Sequence, residues 1–225
     1  FNIIKTFKSK KTAKEYLKQF MPDIVIGTGG YISIPVILAA CSLKIPTVLH
    51  ESNAFPGASV KFLSNKVNEI FVGFEETKKR LPNSKKVITT GTPTKIRDLN
   101  LNTSQIENIK KELGFKESMP LVLVFGGSQG ARSINESMLD IILNEKNKNY
   151  EIIWAVGQNQ YDEIREKFQD KRIEIQNIKN AKIVPYIYDM ESILNACDIV
   201  VARSGAMTIT EVAKVGKLGI FIPLP

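Results

Sequence analysis

Long apolar runs are missing from this sequence. No stretch of about 18 hydrophobic residues occurs, so no bilayer-spanning helix is expected. Cysteine is scarce, with two residues, Cys41 and Cys197, in a chain of 225. Both sit in apolar segments, which argues against a disulfide framework and for buried free thiols in a reducing compartment. No paired Asp or Asp-x-Asp cluster is present to hold Mg²⁺, and no metal site is expected. A groove-reading helix motif and an aromatic stacking platform are also lacking, so nucleic acid is the weaker kind of anionic partner. No signal peptide is visible: the chain opens Phe1-Asn-Ile-Ile-Lys5 without Met and runs into a Lys-rich helix. Together with the abrupt stop after Ile222-Pro-Leu-Pro225, this gives the expectation of a fragment of a longer protein.

With 43% hydrophobic and 24% charged residues, the composition is that of an ordinary soluble globular chain. The net charge of +8 favours anionic partners, namely nucleotides or acidic lipid headgroups. Much of it lies in Lys8 to Lys14, Lys78-Lys79-Arg80 and Lys85-Lys86. Each run reads as a solvated face or as a bilayer-surface contact.

The chain is organised around Leu121-Val-Leu-Val-Phe-Gly126-Gly-Ser-Gln-Gly-Ala-Arg-Ser133. The run 121–125 is short and Val-rich, which predicts a strand buried on both faces. Gly126 and Gly127 permit a tight turn and close approach of a ligand. Ser128 is expected to cap the helix that follows, where free N–H groups attract a phosphate. A plain strand-to-helix turn is the alternative.

Elsewhere the pattern repeats. A helix is expected from Thr12 to Phe20, stopped by Pro22. A strand from Asp23 to Gly27 opens into a second Gly-rich turn, followed by a helix from Ile34 to Leu43. Strands are expected at 45–49, 68–72 and 87–90, and a helix at 58–65. The polar stretch 93–103 reads as the boundary between two units. The second unit then has a helix at 104–113 and strands at 121–125, 151–156, 183–187, 198–201 and 219–222, with helices between them. Such alternation means parallel sheets covered by helices, with ligands beyond the carboxyl ends of the strands. The expected fold is therefore α/β, with units 1–95 and 96–225.

Four stretches occurring in order carry a specific resemblance: Gly27-Thr-Gly-Gly-Tyr31, His50-Glu-Ser-Asn-Ala-Phe-Pro-Gly57, Gly126-Gly-Ser-Gln-Gly-Ala-Arg132 and Arg203-Ser-Gly-Ala-Met-Thr-Ile-Thr-Glu211. The chain resembles the MurG family of glycosyltransferases, over essentially its whole length. The resemblance implies a GT-B architecture of two Rossmann-like domains, here truncated at both ends. It implies inverting, metal-independent transfer of N-acetylglucosamine from UDP-GlcNAc to lipid I, forming lipid II for peptidoglycan. No cofactor is implied. The N-terminal domain would hold the lipid-linked acceptor on the cytoplasmic face of the bacterial plasma membrane, as a peripheral protein. The C-terminal domain would hold most of the UDP-sugar.

The resemblance also distributes roles. Thr28, Gly29, Gly30 and Tyr31 would face the acceptor diphosphate. Asn53 would contact the donor sugar, Ser128 the donor nucleotide and the backbone of Ile187 the uracil. Ala206, Met207, Thr208, Ile209 and Thr210 form the second nucleotide element, and Glu211 would accept hydrogen bonds from the ribose hydroxyls. Lys95 falls where many members have an Arg near the phosphates; it keeps the charge but loses the bidentate fork. Arg132 could serve in its place or simply pair with a carboxylate. His50, the sole histidine, is expected to orient its loop, because the family's candidate base lies in a Gly-rich loop that would precede Phe1. Two other readings stay open: a dinucleotide-binding oxidoreductase, for which Gly126-Gly-Ser-Gln-Gly130 fits G-x-G-x-x-G poorly, and a fragment that binds nucleotide or anionic lipid without turnover.

Overall fold

The computed structural model describes residues 3–81, 86–116 and 118–224, with side chains of the first helix described from Lys8 onward. Phe1, Lys85 and Pro225, named above, lie outside the described residues. The chain divides into two compact units, Phe1–Pro93 and Thr94–Pro225. Lys95 thus belongs to the second unit.

The first unit runs α1 (Ile3–Phe20), β1 (Val25–Gly27), α2 (Ser33–Ser42), β2 (Thr47–Glu51), α3 (Ala58–Leu63), β3 (Glu69–Val72), α4 (Glu75–Lys78) and β4 (Val87–Thr89). Its strands pair in parallel in the order β1-β2-β3-β4. Ile34, Ile37, Leu49, Val60, Leu63, Ile70 and Val72 form its core. The first helix starts well before Thr12, and α4 was not expected from the pattern: at four residues it is too short to show a period. Asn68, expected in a strand, lies just before β3, where its Oδ1 accepts from the amide and hydroxyl of Thr47.

The second unit runs α5 (Thr103–Glu112), β5 (Leu121–Phe125), α6 (Arg132–Leu143), β6 (Glu151–Ala155), α7 (Tyr161–Gln169), a 3-10 turn (Ile175–Asn177), β7 (Ala181–Val184), α8 (Met190–Ala196), β8 (Ile199–Arg203), α9 (Ala206–Lys214) and β9 (Leu218–Ile222). The parallel sheet has the order β7-β6-β5-β8-β9. Alternate residues of β5 and β6 serve opposite cores: Leu121, Leu123, Phe125 and Ile153 on one face, Val124, Ile152 and Trp154 on the other. This is the two-sided burial expected of a central parallel strand. The Asn-rich stretch before α5 has a specific job. Asn102 and Gln105 form a reciprocal capping box at the start of that helix.

The loop after β5 is held from beneath. A Cβ on Gly130 would lie 2.1 Å from the Val156 carbonyl oxygen, and one on Gly157 would lie 2.3 Å from the Gly130 nitrogen. Both residues have positive φ, so glycine is required at each on two counts. The buried Asn135 amide closes the arrangement: its Nδ2 donates to the Val156 carbonyl and to Gln160 Oε1, and its Oδ1 accepts from Trp154 Nε1 at 3.0 Å. Gln160 Nε2 in turn donates to the Gln129 carbonyl, and Asn159 Nδ2 donates to Gln129 Oε1. Neither Asn135 nor Trp154 stood out as a site residue in the sequence. A polar residue inside an apolar helix face was the available signal.

Cys197 is buried and Cys41 half-buried; both are free. Burial pushes the Cys197 thiol up to about 12. In a native thiol titration near pH 8, Cys41 should react first and Cys197 only on unfolding; equal rates for both would contradict the burial. Asn135→Ala orphans the Trp154 N–H and the Val156 carbonyl. It should lower the unfolding free energy by about 1–3 kcal/mol in a denaturant titration.

Candidate functional site

In the second sheet, the chain winds from β5 outward through β6 to β7, then returns so that β8 pairs with the other side of β5. The carboxyl ends of β5 and β8 therefore flank a topological switch point, where open α/β sheets bind ligands. The loops 126–131 and 204–205 leave the sheet there, on the same edge.

Each loop feeds a helix, and neither helix has a side-chain cap. The residue before α6 is Ala131, and the one before α9 is Gly205. The first N–H groups of both helices thus lack the usual side-chain acceptor, and the partial positive charge of each helix start faces the switch point. Ser128 is not the cap expected from the sequence. It lies in a turn closed by the Gly130 amide on the Gly127 carbonyl at 3.0 Å, with its side chain exposed. The glycine-driven turn carries it away from the helix start.

Arg203, at the end of β8, braces this edge. Its guanidinium donates to Ser133 Oγ on α6 at 3.0 Å and to the Pro223 carbonyl at 2.7 Å. Arg132 pairs with Glu163 at 3.8 Å across exposed surface, the second of the two roles considered for it.

Along α9, the side chain of Thr210 is turned inward on its own helix, its hydroxyl donating to the Ala206 carbonyl. Met207 is exposed and Thr208 and Ile209 are half-buried. Glu211 lies in the second turn, beyond the first-turn positions where a carboxylate complements the helix dipole. Its Oε1 accepts instead from the Thr94 hydroxyl at 3.2 Å. Lys95, next along, is exposed.

Residues 94–99 form a strap over α8 and α9. Ile96 is buried in the core. Arg97 makes a two-point contact with Glu191, through Nε at 3.1 Å and Nη2 at 3.0 Å. That contact holds the Glu191 carboxyl below its ordinary range, chiefly through the Arg97 hydrogen bonds. Asn195 accepts from the Leu99 amide and donates to the Arg97 carbonyl.

Ile187 corrects the reading of its segment. The strand ends at Val184, before Pro185, and Ile187 sits in the following loop with its side chain only 5% exposed. That side chain belongs to the core, so only its backbone could meet a ligand. Tyr186 and the exposed Tyr188 beside it make an edge-on ring contact, centroids 5.2 Å apart.

In the first unit, Gly29 and Gly30 both have positive φ, and a Cβ on either would meet no atom within 4 Å. Together with exposed Thr28 and Tyr31 they form an open backbone loop between β1 and α2. The turn leading to Asn53 is built on Glu51, a carboxylate only 5% exposed that the sequence reading passed over. Its oxygens accept from the Asn53 amide at 2.9 Å, Asn53 Nδ2 at 3.0 Å and the Gly57 amide at 2.8 Å. Asn53 is exposed, and none of the described residues donates to its Oδ1. His50 Nε2 lies 3.2 Å from the Gly91 carbonyl, and Nδ1 lies 3.4 Å from Ser52 Oγ. Nε2 therefore donates to that carbonyl, tying the ends of β2 and β4 together.

A cavity of about 810 Å³ lies elsewhere, lined by Leu113, Phe115, Glu151, Ile178 and Lys182 among others. It runs along the edge strand β7 from Ala181 to Val184 and is not lined by the loops 126–131 and 204–205. Among the described residues, no cluster of His, Cys, Asp and Glu is placed to hold a metal ion, and no helix is long and apolar enough to cross a membrane.

Comparison with known proteins identifies the family and the fold. The glycosyltransferase family 28 N-terminal domain matches residues 1–72, and the family 28 C-terminal domain matches residues 121–225. The UDP-N-acetylglucosamine–N-acetylmuramyl-(pentapeptide) pyrophosphoryl-undecaprenol N-acetylglucosamine transferase of Lactobacillus helveticus is 42% identical over 226 aligned residues, covering 100% of this chain and 60% of that protein. The same enzyme of Bacillus cytotoxicus is 40% identical, covering 99% of this chain and 59% of its own length. The chain thus spans about 60% of the length of the curated relatives it matches. Among solved structures, Acinetobacter baumannii MurG superposes with a TM-score of 0.72 at 29% identity, over 99% of this chain and 58% of that one. A Neisseria meningitidis UDP-GlcNAc 2-epimerase bound to UDP-GlcNAc shares the fold alone, with a TM-score of 0.64 at 18% identity over 96% of this chain and 63% of that one. The two parallel-sheet units are of the GT-B glycosyltransferase type, and the chain belongs to the MurG members of glycosyltransferase family 28.

Proposed function

We propose that this chain binds UDP-GlcNAc and a lipid-linked muramyl acceptor, as part of an inverting, metal-independent transferase that converts lipid I to lipid II. The observation that carries the donor half is the pair of uncapped helix starts, α6 and α9, on either side of one switch point. A diphosphate would accept from those amides, and its charge would be met by the helix dipoles. As UDP departs, the same donors would stabilise the charge that develops on the leaving diphosphate.

The residue roles follow from chemistry and resemblance together. The Ser128 hydroxyl, with the amides of its loop and of residues 206–209, would hold phosphate oxygens. The carboxylate of Glu211 would accept from the ribose hydroxyls, and the Ile187 backbone would meet the uracil edge. Lys95 supplies a single charge near the phosphates. Asn53 is assigned to the donor sugar. Thr28, Gly29, Gly30 and Tyr31 are assigned to the acceptor diphosphate, where positive-φ glycines present amides without side chains in the way. The acceptor hydroxyl needs a base; with His50 engaged at both ring nitrogens, we assign that role to a residue outside 1–225.

We also assign this protein a peripheral place on an anionic membrane surface at the cytoplasmic face. Support comes from α1, which carries Lys8, Lys10, Lys11, Lys14 and Lys18. Tyr16, Phe20 and Met21 on the same segment are 68%, 81% and 79% exposed. Basic side chains beside exposed apolar ones suit a headgroup layer.

Calorimetry with UDP tests the donor half. Glu211→Ala and Ser128→Ala should each weaken binding by about 1–3 kcal/mol; unchanged affinity in both variants would remove these assignments. Sedimentation with vesicles tests the membrane half. Binding should require phosphatidylglycerol, fall as salt is raised, and drop when Lys11, Lys14 and Lys18 are replaced by Glu. Equal binding to neutral phosphatidylcholine would contradict an electrostatic contact.

A further inference from the structure

We infer that Thr94 is a positioning residue for nucleotide binding: its hydroxyl holds the Glu211 carboxylate in the orientation that receives the ribose. The inference rests on the reading of Glu211 as the ribose acceptor and adds the group that sets its geometry.

The hydrogen bonds around Thr94 fix the direction of its proton. The Ile96 amide donates to Thr94 Oγ1 at 3.1 Å. With that oxygen accepting from the backbone, its own hydrogen is directed to Glu211 Oε1, 3.2 Å away. Thr94 cannot drift to follow a wandering carboxylate. Two residues on, Ile96 is buried at 8% exposure. Arg97 then grips Glu191 with its guanidinium and its backbone amide, and the Leu99 amide is held by Asn195. The strap carrying Thr94 is therefore anchored on α8 at its far end and in the core at its middle.

A glutamate on a half-exposed helix face ordinarily samples several rotamers, and a ligand that uses it must first still it. Here one oxygen is tethered before any ligand arrives. The second oxygen and the spare lone pair of Oε1 remain for the two vicinal hydroxyls of a ribose. Preorganisation of this kind acts on affinity for ligands that use the carboxylate and leaves others untouched. It also places Lys95, the adjacent residue, on the same braced strap.

The test is calorimetric and uses the whole 225-residue chain. UDP and 2′,3′-dideoxy-UDP are titrated into wild type, Thr94→Val, Thr94→Ser and Glu211→Ala. Thr94→Val keeps the shape and removes the donor. It should weaken UDP about 5-fold, the loss of one ordinary hydrogen bond, and leave dideoxy-UDP unchanged. Thr94→Ser should restore the wild-type value. Thermal melting accompanies each variant, and the strap should stay folded in all of them. If Thr94→Val binds UDP like wild type while Glu211→Ala does not, the positioning role falls and the ribose contact stands. Equal weakening of UDP and dideoxy-UDP by Thr94→Val would likewise overturn it, since general damage to the strap would then be the cause. If Glu211→Ala leaves UDP affinity unchanged, the ribose contact itself is wrong and the inference goes with it.

Discussion

The second unit depends on the parallel pairing of β5 with β8. That pairing reverses the winding of the sheet and brings two loop-to-helix junctions to one edge. Had β8 continued outward past β7, the junctions at Gly126 and Ser204 would be separated by the width of the sheet, and neither could share a ligand with the other. Once the strands are adjacent, the rest is local. Both junctions use small residues, Ala131 and Gly205, at the helix caps. A side-chain cap would satisfy those amides internally. Their absence costs each helix something in stability and leaves its donors available.

Close backbone approach is the second constraint. The turn at 127–130 and the turn at 157 touch with no room for side chains. The polar residues Asn135, Gln160 and Trp154 knit the two from below. The loop is thus held by the neighbouring loop and helix as well as by its own turn. The strap at 94–99 does the same for the other side of the edge, where Arg97 and Asn195 fasten it to α8. Rigid supports beneath glycine-rich turns are what a site needs if its donors are to be in place before charge develops.

Much of this was legible in the sequence, and the parts that were not have physical reasons. The strand at 121–125 could be read because two-sided burial leaves an unbroken apolar run, and the alternation of elements foretold a parallel sheet. The motifs in order pointed to the family, and the glycines flagged the turns. Ser128 misled as a cap because Ser before a helix is the usual signal, while the actual turn is set by Gly127 and Gly130. Ile187 was placed in a strand because Ile183 to Ile187 is apolar and β-branched in part; Pro185 ends the ladder first. Glu51, Asn135 and Thr94 escaped notice for a common reason. Each acts through a partner distant in sequence or through backbone amides, and a periodic pattern records neither. Thr94 and Glu211 are separated by 117 positions, and only the fold makes them neighbours.

The buried carboxylate of Glu51 has one more consequence. The backbone amides of Asn53 and Gly57 and the Asn53 side-chain amide converge on it, so the contour of residues 52–57 is drawn chiefly by a carboxylate at its base. Shape and chemical identity are thereby partly uncoupled in that turn. An outward position such as Phe55, whose ring is exposed and makes no contact with that carboxylate, can change character without redrawing the path of the main chain.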